Sequence, residues 1–173
     1  MTLGSHQTTI GKSQDHITPR WIINRLGPFT TDPCAADPRP WNCAEHNITE
    51  AQDGLRRLWC GYTWLNPPFD QRVVGRWIER LAQHGNGVAL LHARSEARWF
   101  APCWRHASGI LFLATRLKFC RADESEQPHN SGAPPVLVAF GEYALARLEA
   151  SGIQGQLVTA WKRIGEPRML AAE

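Results

Sequence analysis

Four consecutive residues, Asn66-Pro67-Pro68-Phe69, bring together the groups needed to hold an exocyclic amine on a planar ring. The Asn side-chain oxygen and the Pro67 carbonyl can each accept a hydrogen bond from an NH2 group. Doing so draws the nitrogen lone pair out of conjugation and leaves it nucleophilic. Two prolines lock the backbone and aim its carbonyls. The aromatic ring offers a stacking surface for a base rotated out of a duplex. The same tetrapeptide also reads as a plain turn, because Asn-Pro and Pro-Pro pairs end strands on composition alone. Its setting argues for chemistry: a strand-like run, Tyr62-Thr63-Trp64-Leu65, precedes it and an amphipathic stretch follows.

Other reactive residue types are dispersed. The five cysteines, Cys34, Cys43, Cys60, Cys103 and Cys120, include no C-x-x-C pair and have no His-x-x-x-His partner. Neither a disulfide framework nor a zinc site has its usual spacing, so the thiols read as reduced and cytoplasmic. Cys43 and His46 would need two further ligands from unrelated segments, and no metal is expected. Nineteen Lys and Arg against sixteen Asp and Glu leave a net charge of +3 over 173 residues. That balance permits a polyanionic partner without requiring one. Charged residues break every apolar run well short of the ~18 residues that cross a bilayer. The first ten residues lack the basic segment and apolar core of a secretory signal. A cytoplasmic protein without a membrane partner is expected, its first fifteen residues a frayed tail.

The elements that must position the tetrapeptide follow from periodicity. Thr18-Pro19 opens a short amphipathic helix that stops at Gly27, with Pro19 at the first helical position. A strand over 28–33 runs into an irregular loop over 36–48, and Thr49 with Gln52 forms a capping box. Residues 59–65 read as a strand. Residues 73–83 read as a helix burying Val73, Val74, Trp77, Ile78 and Leu81. Residues 88–91 are apolar throughout, as a buried parallel strand is, 110–113 read as a strand and 135–140 as a third buried strand. Between them lie a helix over 95–106 interrupted by Pro102 and a polar loop over 120–133; a helix over 143–150 and a strand over 156–161 follow. The alternation predicts an α/β three-layer sandwich with a mostly parallel sheet, forming a single domain over 16–173. In such sheets ligands bind beyond the carboxyl ends of the strands. There the chain places Asp32-Pro33-Cys34-Ala35, Asn66-Pro67-Pro68-Phe69, His92-Ala93-Arg94 and Thr115-Arg116-Leu117-Lys118.

The order of these segments resembles the small phage-type DNA N6-adenine methyltransferases. The likeness is carried by Thr18-Pro19, Asp32-Pro33-Cys34-Ala35, Asp53-Gly54-Leu55 with Trp59, Asn66-Pro67-Pro68-Phe69 and Trp77. It continues through Leu90-Leu91 with Ala93-Arg94, Arg98-Trp99-Phe100 and Arg116-Leu117-Lys118-Phe119. The resemblance implies a Rossmann-like class I methyltransferase fold, S-adenosylmethionine as cofactor and double-stranded DNA as partner. It implies catalytic roles for Asn66, Pro67, Pro68 and Phe69, and cofactor contacts from Thr18, Pro19, Asp32, Pro33, Cys34 and Ala35. Glu45 would meet the ribose hydroxyls and Asp53 the adenine amine of the cofactor. Arg94, Trp99, Arg116 and Lys118 would contact the DNA, and Trp77 is expected in the core. Where the family usually has a glycine pair after D-P-C-A, this chain has Ala36-Asp37-Pro38-Arg39. So short a chain leaves room for DNA reading only over 36–48 and 120–133, with short or lax sequence specificity. A monomer or weak dimer would suffice, and protection of a mobile genome from restriction would suit the family. Cytosine N4, RNA adenine or a protein glutamine stay open as acceptors, as does a catalytically silent, methyltransferase-like DNA-binding module.

Overall fold

Seven strands form one sheet in the order β2-β1-β3-β4-β6-β5-β7. They are β1 Phe29–Ala35, β2 Ala44–Thr49, β3 Thr63–Leu65, β4 Gly87–His92, β5 Gly109–Leu113, β6 Pro135–Phe140 and β7 Gly155–Val158. The computed structural model describes residues 16–162 and 164, so the tail expected over 1–15 lies outside the described residues. Pairings from β2 through β1 and β3 to β4 are parallel, and those of β6 with β4 and β5, and of β7 with β5, are antiparallel. β5 therefore runs with β4, which gives β1 to β5 one direction and leaves β6 and β7 reversed. The result is a mixed α/β sheet, parallel from β2 to β4 and antiparallel beyond, with β6 slotted between β4 and β5, consistent with the expected Rossmann-like fold.

Side-chain alternation along the central strands creates two cores. Val88 and Leu90 of β4 face one way, onto Ile22, Ile23 and Leu26 of α1 (Arg20–Leu26) and Ala144 and Leu148 of α4 (Glu142–Ala150). Ala89 and Leu91 face the other way, onto Val74, Trp77, Ile78 and Leu81 of α2 (Val74–His84) and Cys103 of α3 (Ala101–His106). A strand covered on both faces has no need of polar positions, which accounts for its unbroken apolar run. α2 ends where Gly85 takes a left-handed φ of 72° and returns its N–H to the Leu81 carbonyl.

Several boundaries differ from the periodicity. Pro19 occupies the cap position of α1 rather than its first turn, and Thr18 makes no capping bond. Pro102 lies in the first turn of α3, where its missing N–H costs nothing, and the residues before it form a 3-10 turn, Arg98–Phe100. Of the run 59–65, only Thr63–Leu65 is strand. Trp59 is instead a buried anchor, its indole N–H donating to the Gly54 carbonyl at 2.7 Å and its ring stacked on Trp77. Trp77 itself is buried, as expected. The loop expected over 36–48 is shorter, because β2 begins at Ala44. As an edge strand with exposed Glu45 and His46, β2 carries no apolar run to announce it.

Candidate active site

The carboxyl ends of β1, β3, β4 and β5 share one edge of the sheet, and the segments that follow them meet there. Thr31 of β1 pairs with Thr63, and Leu65 pairs with Ala89. β4 runs on to His92, past the level of Leu65 and alongside the turn 66–69. The segment before α1 crosses the same edge, where Ile17 exchanges backbone hydrogen bonds of 3.1 and 2.8 Å with Cys120.

Both ends of the turn are held from outside it. The Asn66 amide nitrogen donates to the His16 carbonyl at 2.9 Å. A carbonyl accepts only from the NH2 end of the amide, so this partner settles which way the amide faces. No described residue donates to Oδ1, which is left as an acceptor. Pro67 is buried and Pro68 exposed. The half-buried Phe69 ring lies flat against the His92 imidazole, centroids 4.0 Å apart and planes 12° from parallel. Burial, reinforced by Arg94 and then His16, pushes the His92 pKa down to about 4, so this ring is neutral at physiological pH.

On the β1 side, Asp32 is 4% exposed, accepts the Cys34 N–H at 3.0 Å and is bonded by the Cys43 thiol. Burial raises its pKa to about 7 against the lowering pull of those two bonds and of Arg39. Burial also pushes up the Cys34 and Cys43 thiols, and the Asp32 charge adds to it. Both are therefore held protonated and unreactive. Thr18 is 2% exposed, and its hydroxyl has no hydrogen-bond partner among the described residues. A buried polar atom left single at a sheet edge is what a missing ligand would leave behind.

Gly54 lets the loop after β2 pack its backbone closely on the end of β1. A Cβ there would collide with the Pro33 carbonyl and lie 3.1 Å from the Trp77 ring. This packing brings Asp53 against the end of β1, its backbone left-handed at φ 53° and its carboxylate 3.2 Å from Arg56. Glu45 does not join the site. The register pairs Phe29 with Ala44 and Ala35 with Thr49, so Glu45 stands exposed at the opposite end of β2. Glu50, the residue after β2, stands beyond the other end, roughly 16 Å further along the strand direction.

Residues expected to meet DNA are distributed around this edge. Arg94 follows β4 in a tight turn, its N–H bonded to the His92 carbonyl at 2.8 Å. The half-buried Trp99 packs beside Gly75 and Phe100 at the start of α2. Arg116 donates to the Ser131 carbonyl at 3.1 Å and so braces the loop between β5 and β6. Exposed Lys118 stands 3.6 Å from Glu126, a pair that water screens. Asp37, Pro38, Arg39, Pro40, Trp41 and Asn42 wall an open cleft of about 350 Å³ in the loop after β1, and none of its walls belongs to the turn 66–69. Among the described residues no group of three or more His, Cys, Asp or Glu is placed to hold a metal ion.

The sequence singles out neither His16 nor Glu50, and it places His92 at a strand end without giving it a role. The capping box Thr49–Gln52 was the available sign of Glu50, since it closes at the end of β2. His16 acts through its backbone carbonyl, which no residue type announces. Compared with known families, residues 7–169 match the DNA N-6-adenine-methyltransferase (Dam) family. No curated protein matches the chain.

Proposed function

This chain belongs to the DNA N-6-adenine-methyltransferase family and is a DNA adenine-N6 methyltransferase; on that premise we propose that its base site is the turn 66–69 and its methyl donor S-adenosylmethionine. The orientation of Asn66 carries the reading. With its amide nitrogen committed to His16, its oxygen is left to accept from the adenine amine, and the Pro67 carbonyl is the second acceptor. Two acceptors on one NH2 group turn its lone pair toward the incoming methyl and stabilise the positive charge that develops on nitrogen. Because N6 is paired inside a duplex, the base must be flipped, and Phe69 provides the ring against which it stacks.

The β1 edge fits the cofactor. When bound, S-adenosylmethionine supplies a methyl group activated by its sulfonium, so positioning is the main task left to the protein. The Thr18 hydroxyl and the Asp32 carboxyl suit the polar methionine end, with Pro19, Pro33, Cys34 and Ala35 shaping the wall around them. An ammonium group beside Asp32 would draw its raised pKa back down and hold it as carboxylate. Glu50, in place of Glu45, faces the ribose hydroxyls, and Asp53 the adenine. Double-stranded DNA lies across the loops 36–43 and 120–133, with Arg94 and Trp99 between them.

Transfer of a labelled methyl group from S-adenosylmethionine to DNA, RNA and protein, followed by nucleoside and amino-acid analysis, tests the assignment. The expected product is N6-methyl-2′-deoxyadenosine in duplex DNA. Label in cytosine, in RNA or in glutamine instead would overturn it.

A further inference from the structure

We propose that His92 is a positioning residue for the target adenine, its imidazole fixing the plane of the Phe69 ring on which the base stacks. The inference rests on the reading above that Phe69 receives the flipped base. A phenylalanine at the end of a turn can rotate about two side-chain bonds, and a base stacked on it inherits that freedom. In this chain the rotation is hindered, because a second planar ring lies 4.0 Å away and 12° from parallel. That second ring stands on rigid ground. His92 ends the buried strand β4 and sits opposite Pro135 in its ladder with β6. Neither feature is local: Phe69 and His92 belong to different strand ends, so the contact couples the turn after β3 to the frame of the sheet.

The other end of the turn is held in the same manner, by the bond of Asn66 to His16. One contact orients the amine acceptor and the other orients the stacking surface. Together they set where the amine nitrogen comes to rest relative to the methyl donor, and an error of ~1 Å in that position can cost 10²-fold in rate. The face of Phe69 that His92 covers is closed to the base, which stacks on the ring surface left exposed. The half-buried imidazole, neutral beside Arg94 and His16, forms this stack without bringing a further positive charge to the site.

The test uses a duplex carrying 2-aminopurine at the adenine that product analysis identifies as methylated. In wild-type complexes saturated with S-adenosylmethionine, a flipped 2-aminopurine stacked on Phe69 is quenched. His92→Ala should brighten it, and should lower kcat/KM for methylation by roughly tenfold to 10²-fold, chiefly in kcat, with cofactor affinity unchanged. His92→Phe, which restores a flat ring, should recover both the quenching and the rate. His92→Gln, which lacks a ring but keeps polar length, provides the same loss should the alanine variant melt early.

Wild-type quenching and kinetics in His92→Ala, or failure of His92→Phe to recover them, would overturn the proposal. So would stronger quenching and faster methylation in His92→Ala, since the imidazole would then be occupying the place of the base. Phe69→Ala separates this inference from the reading beneath it. If Phe69→Ala leaves the fluorescence at the wild-type level, the base does not stack there and both fall. If it brightens the probe while His92→Ala does not, only the role of His92 falls.

Discussion

Replacing Asn66 by Asp probes the site at its most constrained atom. On acceptor chemistry alone an aspartate should serve, since a carboxylate accepts hydrogen bonds from an amine at least as well as an amide does. The structure argues otherwise for this chain. The Asn66 nitrogen lies 2.9 Å from the His16 carbonyl oxygen, so the carboxylate of the variant sets oxygen against oxygen at that distance. The variant loses one hydrogen bond and leaves a part-buried acceptor unpaired, together about 1–3 kcal/mol. If that strain is relieved by turning the side chain away from the amine, it appears as a loss of ~10- to 10²-fold in kcat/KM. Protonation reverses the sign, because a neutral Asp can donate to the His16 carbonyl while its other oxygen accepts from the base. The ratio of variant to wild-type activity should therefore climb as the assay is taken from about pH 8 to about pH 6, since a facing carbonyl raises the carboxyl pKa. Using the ratio removes titrations common to both proteins. Labelled methyl transfer to duplex DNA measures it, with Asn66→Ala as the comparison that is impaired at every pH. Wild-type activity in Asn66→Asp, or a ratio flat with pH, would refute the claim that the His16 tether orients the acceptor.

Three further outcomes follow from the geometry. Thr18→Val keeps the shape of a buried side chain whose hydroxyl has no partner among the described residues; thermal melting should show an apo protein at least as stable, while calorimetry shows S-adenosylmethionine affinity down by up to ~10-fold, the value of one hydrogen bond. Unchanged affinity would remove Thr18 from the cofactor site. Gly54→Ala forces a methyl against the Pro33 carbonyl and the Trp77 ring, so urea unfolding should show a loss of about 1–3 kcal/mol together with weakened cofactor binding. Stability against pH depends on two groups of opposite sign. Folded Asp32, with its pKa raised from 3.8 to about 7, holds the extra proton, so its contribution falls as pH rises through that window. Folded His92, with its pKa lowered from 6.5 to about 4, holds fewer protons than the unfolded chain, so its contribution rises across an overlapping window. The wild-type profile between those values should be nearly flat. Asp32→Asn should unmask a rise toward pH 6.5, with a slope below the limit of about 1.4 kcal/mol per pH unit because His92 is only part-buried. A flat or falling profile in that variant would contradict the assignment.

Much of the molecule was legible in the chain itself. Buried elements declare themselves through local spacing: β4 and β6 by unbroken apolar runs, α2 by Val74, Trp77, Ile78 and Leu81 on one face. The turn 66–69 declares itself too, because prolines restrict the backbone whatever surrounds them. What stayed hidden depends on pairings between distant segments. β2 is an exposed edge with no apolar signature, and only its register with β1 puts Glu45 at the far end of the strand and Glu50 beyond the near one. Gly54 looks like a common turn residue until Pro33 is seen against it, where any side chain would collide. The sequence by itself determined which residues could hold an amine and a cofactor, since that capacity resides in side-chain chemistry and short-range backbone limits. Only the tertiary structure decided how they are aimed: His16 turns the Asn66 amide and His92 flattens Phe69, across 50 and 23 positions of chain, respectively. Orientation is a property of contacts between remote segments, and local periodicity carries no record of them.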